Sequence, residues 1–336
     1  GLVFGAAAQR SRFCMRAAVA ELAEGRPGPR IAVWLVAFAA AVAGTQGAIA
    51  AGWLSPMEAR QIAATGSLSG AILGGLMFGA GMILARGCAS RLLVLSATGN
   101  LRALVTGLIL TVVAQASLSG VLAPAREALA GLWTVPGGSG RDALALLGIG
   151  PGTAAGLAAV VCFGALLAVR RQVSLAQTAA AIVVGLAVAG GWIGTAAIAH
   201  ASFEIVPVGS VTFTGPSADT LMGLVGDRTV PLSFATGLVP GVAAGAFLSA
   251  LLGRELKIER FGPDTPMERY LAGAVLMGFG AMLAGGGAVG ATVTGGAVMA
   301  VTAWIAGLSM WAGALATAFA MAALQGGGAQ PAGVKA

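Results

Sequence analysis

Eight apolar runs, at roughly 31–51, 67–85, 101–123, 152–169, 175–200, 232–253, 270–286 and 300–324, constrain this chain more than any motif in it. Each is near the ~20 residues that a helix needs to cross a hydrocarbon core about 30 Å thick. Charged residues are only 9% of the 336 and apolar ones 57%, so polar surface is too scarce to coat a soluble body of this size. Backbone groups in lipid must be satisfied within the segment, and the ~10-residue alternating segments of a barrel are absent. The fold predicted is an all-α polytopic membrane protein, a bundle of about eight or nine transmembrane helices with short re-entrant helices.

Fifty-four glycines are too many for water-exposed helices and need a role in lipid. Gly70 and Gly74, Gly75 and Gly79, Gly190 and Gly194, and Gly237, Gly241 and Gly245 have the four-residue spacing that puts small residues on one helix face, where backbones can approach closely. Between Gly278 and Gly290 the crowding also suits a broken helix that brings backbone near a solute.

Charge placement predicts an orientation. Arg10, Arg12, Arg16, Arg26 and Arg30 precede the first run, Arg170 and Arg171 lie between the fourth and fifth, and Arg254, Lys257, Arg260 and Arg269 lie between the sixth and seventh. Cytoplasmic loops are rich in Lys and Arg, which places these groups inside and 52–66, 124–151 and 201–231 outside. The last of these holds Glu204, Asp219 and Asp227 against Arg228 alone. The net charge of +7 is therefore a topology signal, and scattered arginines form no nucleic-acid stripe. The short apolar start, Gly1–Ala8, reads as the remnant of a membrane segment and not as a signal peptide, whose apolar region is longer. From 326 to 336 a Gly/Pro/Ala-rich tail reads as mobile.

An offset of 199 residues aligns Gly79-x-Gly81-x-x-Leu84-Ala85-x-Gly87-Cys88 with Gly278-x-Gly280-x-x-Leu283-Ala284-x-Gly286-Gly287. Each block ends an apolar run and precedes a short apolar piece. The expected organisation is two membrane halves, 1–170 and 171–325, of opposite topology, the pattern of transporters that bind solute where interrupted helices meet. Chance matching in Gly/Ala-rich sequence is the competing explanation.

Two of the three cysteines share a setting. Cys14 follows Arg12 and precedes Arg16; Cys88 lies between Arg86 and Arg91. Guanidinium groups attract anions and soft sulfur suits a soft, polarizable partner, so the pairing fits a sulfur-bearing anion. Arginines at helix ends also snorkel to headgroups, and that explanation stands beside the functional one for Arg86 and Arg91. With three cysteines, one histidine and no CxxC, the chain offers no metal site. Cys162, among apolar neighbours, reads as packing, and His200 and Glu204 as a solvated span end. Asn100 reads as the cap of the helix beginning at Leu101. Thr214, Gly215 and Ser217, around a Gly-Pro break that opens a helix, present N–H donors able to cradle an oxyanion, though an ordinary capped loop looks the same.

Phe13-Cys14 after the apolar start, Gly79 through Gly87-Cys88 to Gly99-Asn100-Leu101, and Thr212-Phe-Thr-Gly-Pro216-Ser-Ala-Asp219 together resemble the YeeE/YedE-like sulfur-transport family, along nearly the whole chain. The resemblance implies an hourglass-shaped helical bundle with inverted pseudosymmetry, set in the bacterial inner (cytoplasmic) membrane, taking up thiosulfate past cysteines on a central path. Cys14 and Cys88 match two of the family's three cysteines, and Gly287 stands where the third falls. The implied substrate path includes Cys14, Cys88, Arg86, Arg91, Gly87, Asn100, Gly286 and Gly287, with Thr214, Gly215 and Ser217 as a further anion-binding segment. The partners expected are a sulfur-containing anion, the lipid bilayer and a cytoplasmic sulfur-carrier protein, with no cofactor or nucleic acid. A membrane-embedded thiol enzyme and an accessory subunit of a larger complex are the alternatives.

Overall fold

The computed structural model describes residues 1–25, 28–169, 172–226, 233–260 and 266–326. Arg26, Arg170, Arg171, Asp227, Arg228 and the tail from 327 onward lie outside the described residues. Helices α1 (Leu2–Ser11) and α2 (Met15–Ala23) flank the first cysteine, and α3 (Pro29–Ala50) follows. A short α4 (Arg60–Ala63) and the strand β1 (Gly66–Ser67) lead into α5 (Leu68–Leu84) and α6 (Ala89–Ala97), which flank the second cysteine. Then come α7 (Leu101–Leu118), α8 (Ala123–Gly131), β2 (Thr134–Val135), α9 (Ala143–Leu147), α10 (Pro151–Val169) and α11 (Leu175–Ala201). The chain closes with α12 (Thr214–Gly226), α13 (Phe234–Leu252), α14 (Met267–Leu283), a π-helical segment (Ala288–Gly295) and α15 (Val301–Gly326).

The protein is an all-α polytopic membrane protein. Among the described residues, 7 helices are long and apolar enough to cross a membrane, counting α5 with α6 and α14 with the π-helical segment. The fourth run, 152–169, forms α10, whose apolar stretch Pro151–Leu167 is shorter.

Helix α5 is the packing hub, and its glycines explain how. An ideal Cβ on Gly74 would lie 2.5 Å from both the Gly280 oxygen of helix α14 and the nitrogen of Ala284, its C-cap, and one on Gly81 would lie 2.6 Å from the Gly273 oxygen. Gly70 likewise faces Leu283, so α5 and α14 run antiparallel with their backbones in contact. Gly75, one position round, faces Ala306 and Ser309 of α15. With no hydrophobic drive between helices in lipid, such close van der Waals approach is what holds them together. On α13, Gly241 and Gly245 seat the first residues of α1. Gly190 and Gly194 depart from the expected pattern: an added Cβ at either meets nothing within 4 Å. In α11 the buried face turns instead through Gly185 and Gly191, against Ala37–Ala41 and Ser210.

Three interruptions share one backbone pattern. Arg12 (φ 54°), Arg86 (φ 54°) and Gly285 (φ 78°) adopt the left-handed conformation. Two residues later the chain is extended at Cys14, Cys88 and Gly287, each the N-cap of a short helix. Left-handed backbone costs a non-glycine residue roughly 1–2 kcal/mol, so the two arginines hold these turns against local preference and Gly285 does so without strain. The second and third of these short helices then lead to a bridge with a distant loop, Asn100 with Glu259 and Ala300 with Asp142.

Candidate functional site

The interruptions meet inside the bundle. Cys14 is 9% exposed and Cys88 2%, both are free thiols, and their side chains lie within hydrogen-bonding reach of each other although 74 positions separate them. The reason is the N-cap position: at a helix start the side chain turns back over the first turn, where backbone N–H groups have no partner. The amides of Ala17 and Arg91, three residues on, reach toward the two sulfurs without closing a full capping bond. Ser90 Oγ lies 3.3 Å from Cys88 Sγ. Two weak S–H donors, unpaired amides and the positive ends of two helices thus face one spot, an arrangement that favours an anion with a soft atom.

The third interruption closes the same region from the other side. A Cβ on Gly287 would sit 3.0 Å from Thr214 Oγ1 and 3.1 Å from the Phe78 ring. Thr214, first residue of α12, is 1% exposed and its hydroxyl has no hydrogen-bond partner among the described residues. Phe213 beside it packs on Phe4 of α1 with ring centroids 5.3 Å apart, and Gly290 abuts Thr212. Sulfur recurs here: Thr292 Oγ1 lies 3.8 Å from Met15 Sδ and 4.0 Å from Met310 Sδ.

The sequence-named residues divide accordingly. Cys14, Cys88, Gly87, Gly286, Gly287 and Thr214 belong to the interruptions, and Arg91, with one buried nitrogen lacking a partner, acts electrostatically on Cys14. Arg86 is exposed at its left-handed turn. Asn100 is spent on structure: Oδ1 accepts from Ala103 N at 2.8 Å, and Nδ2 donates to Glu259. Gly215 has open space around it, and Ser217 donates its backbone N–H to Phe213 O at 2.8 Å while lining an apolar side pocket with Leu92 and Leu221. Cys162 packs half-buried against the core. Replacing it with alanine is expected to leave uptake within error of the parent in a flux assay. His200 is exposed and bonds Glu58 at 2.7 Å.

The sequence marks Arg16 and Arg269 only as loop charges and gives Arg102 and Tyr270 no role. Arg16 on α2 and Arg269 on α14 both interact electrostatically with Arg86 and with Tyr270. Arg102 lies 4.9 Å over the Tyr270 ring. These cations gather at one end of the bundle from four elements, and periodicity in any one of them carries no sign of the others. By contrast, a roomy cavity of about 650 Å³ among Trp34, Phe38, Leu147 and Trp304 is almost wholly apolar and holds no thiol.

Residues 10–316 match the family model described as sulphur transport. This chain belongs to the sulphur transport family. The matched span takes in all three interruptions and both buried cysteines. It is also 35% identical over 92 residues to the thiosulfate transporter TsuA of Escherichia coli strain K12, across 27% of this chain and 26% of that protein. The chain thus aligns with about a quarter of that curated relative.

Proposed function

We propose that the protein takes up thiosulfate, or a closely related sulfur anion, by passing it along thiol donors at the centre of the membrane. The observation that carries this reading is the meeting of Cys14 and Cys88 at two helix N-termini with no disulfide between them. Family membership and the likeness to a thiosulfate transporter support the substrate class. Successive weak contacts suit passage, because a solute held too tightly does not leave. The cysteines undergo no redox change in this scheme.

In the same reading residues 1–170 and 171–325 are halves of opposite topology in the bacterial inner membrane, with the Arg16, Arg86 and Arg269 end facing the cytoplasm. The antiparallel pairing of α5 with α14 and the equal spacing of Arg86 to Gly285 and of Cys88 to Gly287 support this. Arg91 draws the anion to the thiols and Arg86 draws it onward. A cytoplasmic sulfur-carrier protein is a natural recipient at that end.

Gly287 stands where the resembling family has a third cysteine, and the unpartnered Thr214 hydroxyl fills the adjacent space. Thr214 is the third donor in this scheme. Thr214→Val, nearly the same shape without the hydroxyl, is expected to slow uptake about tenfold, a loss in keeping with one hydrogen bond to a charged solute, whereas Thr214→Ser retains most of it. Equal rates in the two variants would remove Thr214 from the path.

Uptake of radiolabelled thiosulfate by the purified protein in liposomes, with no other component, tests the reading as a whole. Accumulation supports it. Chemical turnover without flux points to a thiol enzyme, which would need an acid–base group beside Cys88, and the single histidine is held elsewhere by Glu58. Neither flux nor turnover points to an accessory subunit.

A further inference from the structure

The end of the bundle opposite the Arg16 and Arg86 group contains a second basic site. The strands β1 and β2 pair Gly66 with Val135 and Ser67 with Thr134, which ties the loop before α5 to the loop before α9. Gly138 N donates to Ile62 O at 3.0 Å, and Ala143 N to Met299 O at 2.9 Å. Enclosed by these loops is a cavity of about 370 Å³ lined by Arg60, Gln61, Arg126, Arg141, Thr302 and, at its inner side, Gly285 of the third interruption.

Arg141 is its informative residue. It is 4% exposed, and its guanidinium donates to the Ala64 carbonyl and, at 2.6 Å, to Thr302 Oγ1. Its Nε is buried without a partner, and no ion pair among the described residues includes it. Acids on neighbouring segments are engaged elsewhere: Asp142 accepts from Leu144 N, Glu58 bonds His200, and Glu127 pairs with Arg126. Burial lowers the pKa of Arg141, the mark of a cation deprived of water and counter-charge. Gly66 makes room for it, since a Cβ there would lie 2.6 Å from Nε. The Gln61 side-chain oxygen Oε1 is also buried with no partner among the described residues, and its amide can present either end to the cavity. Burying an arginine this way is costly unless an anion completes the site.

The geometry points to an oxyanion-binding vestibule centred on Arg141, with Arg60, Gln61 and Thr302, which captures a small divalent sulfur oxyanion before it reaches the thiols. Its purpose rests on the transport reading; its chemistry does not. The guanidinium fork suits the oxygens of thiosulfate and leaves the terminal sulfur for the cysteines.

Equilibrium binding of radiolabelled thiosulfate to the purified full chain carrying Cys88→Ala tests the vestibule with the relay disabled. Binding is expected to persist, to weaken roughly tenfold in Arg141→Lys, which keeps the charge but not the fork, and further in Arg141→Gln. Arg60→Gln, at the exposed rim, is expected to weaken it about threefold. Should Arg141→Gln fail to fold, Arg141→Lys and Arg60→Gln decide the matter, and unchanged affinity in both overturns the proposal. Binding seen in the parent but lost with Cys88→Ala alone also overturns it and leaves the relay standing. Arg141-dependent binding together with undiminished flux in Cys88→Ala does the reverse.

Discussion

Replacing Cys88 with alanine stops uptake of the sulfur anion while the protein still inserts and elutes as the parent does. A hydrogen bond to a charged solute is worth roughly 1.5–3 kcal/mol, which as a barrier is about 10- to 150-fold in rate. Cys88 is 2% exposed and Ser90 Oγ lies 3.3 Å from its sulfur, so alanine removes the thiol donor and leaves that hydroxyl without its partner. The structural cost is small, because removing one sulfur from a packed site loses about 1 kcal/mol. Radiolabel uptake in liposomes, read beside size-exclusion profiles of both proteins, separates lost passage from lost folding. Flux equal to the parent's would mean that the anion does not pass this thiol.

Gly74→Val is expected to have the opposite signature, loss of the protein itself. The new Cβ would press within 2.5 Å of backbone atoms at Gly280 and Ala284, and backbone cannot yield as a flexible side chain does. Overpacking costs typically about 1–3 kcal/mol when side chains can give, and here α5 and α14 must separate along their contact. Since α14 leads into the third interruption and α5 into the second, that separation also shifts Phe78 of α5 away from Gly287. Gly190→Val is the matched control, with nothing within 4 Å of the added carbon. Yield and melting temperature in detergent should collapse for the first variant and hold for the second; equal melting temperatures would refute the close-packing account.

That contrast also marks how far the sequence could be read. Spacing put Gly74 and Gly190 in the same class, because four-residue periodicity reports that two glycines share a face and not what that face meets. The apolar runs located the helices, since length against bilayer thickness is a property of each segment alone. Cys14 and Cys88 could be singled out because a thiol beside arginines is a local pattern. Their meeting could not, because it depends on left-handed turns at Arg12 and Arg86, residues with no intrinsic preference for that conformation. Arg141 was invisible for a similar reason: one arginine in a polar loop says nothing until Gly66, from another loop, makes the space that buries it. Asn100 shows the converse, its capping of α7 being readable from the residue type and the apolar run after it.

The central claim is that the Cys14 and Cys88 thiols lie beside one another and face the anion's path. Its most direct test is made on the Cys162→Ala protein in liposomes, whose two remaining cysteines are joined by mild diamide oxidation, verified by mass spectrometry and released with dithiothreitol. The account predicts that a Cys14–Cys88 disulfide forms readily, that thiosulfate uptake stops with it, and that reduction restores uptake. Thiols that resist joining, or a joined protein that carries thiosulfate at the parent rate, would contradict it.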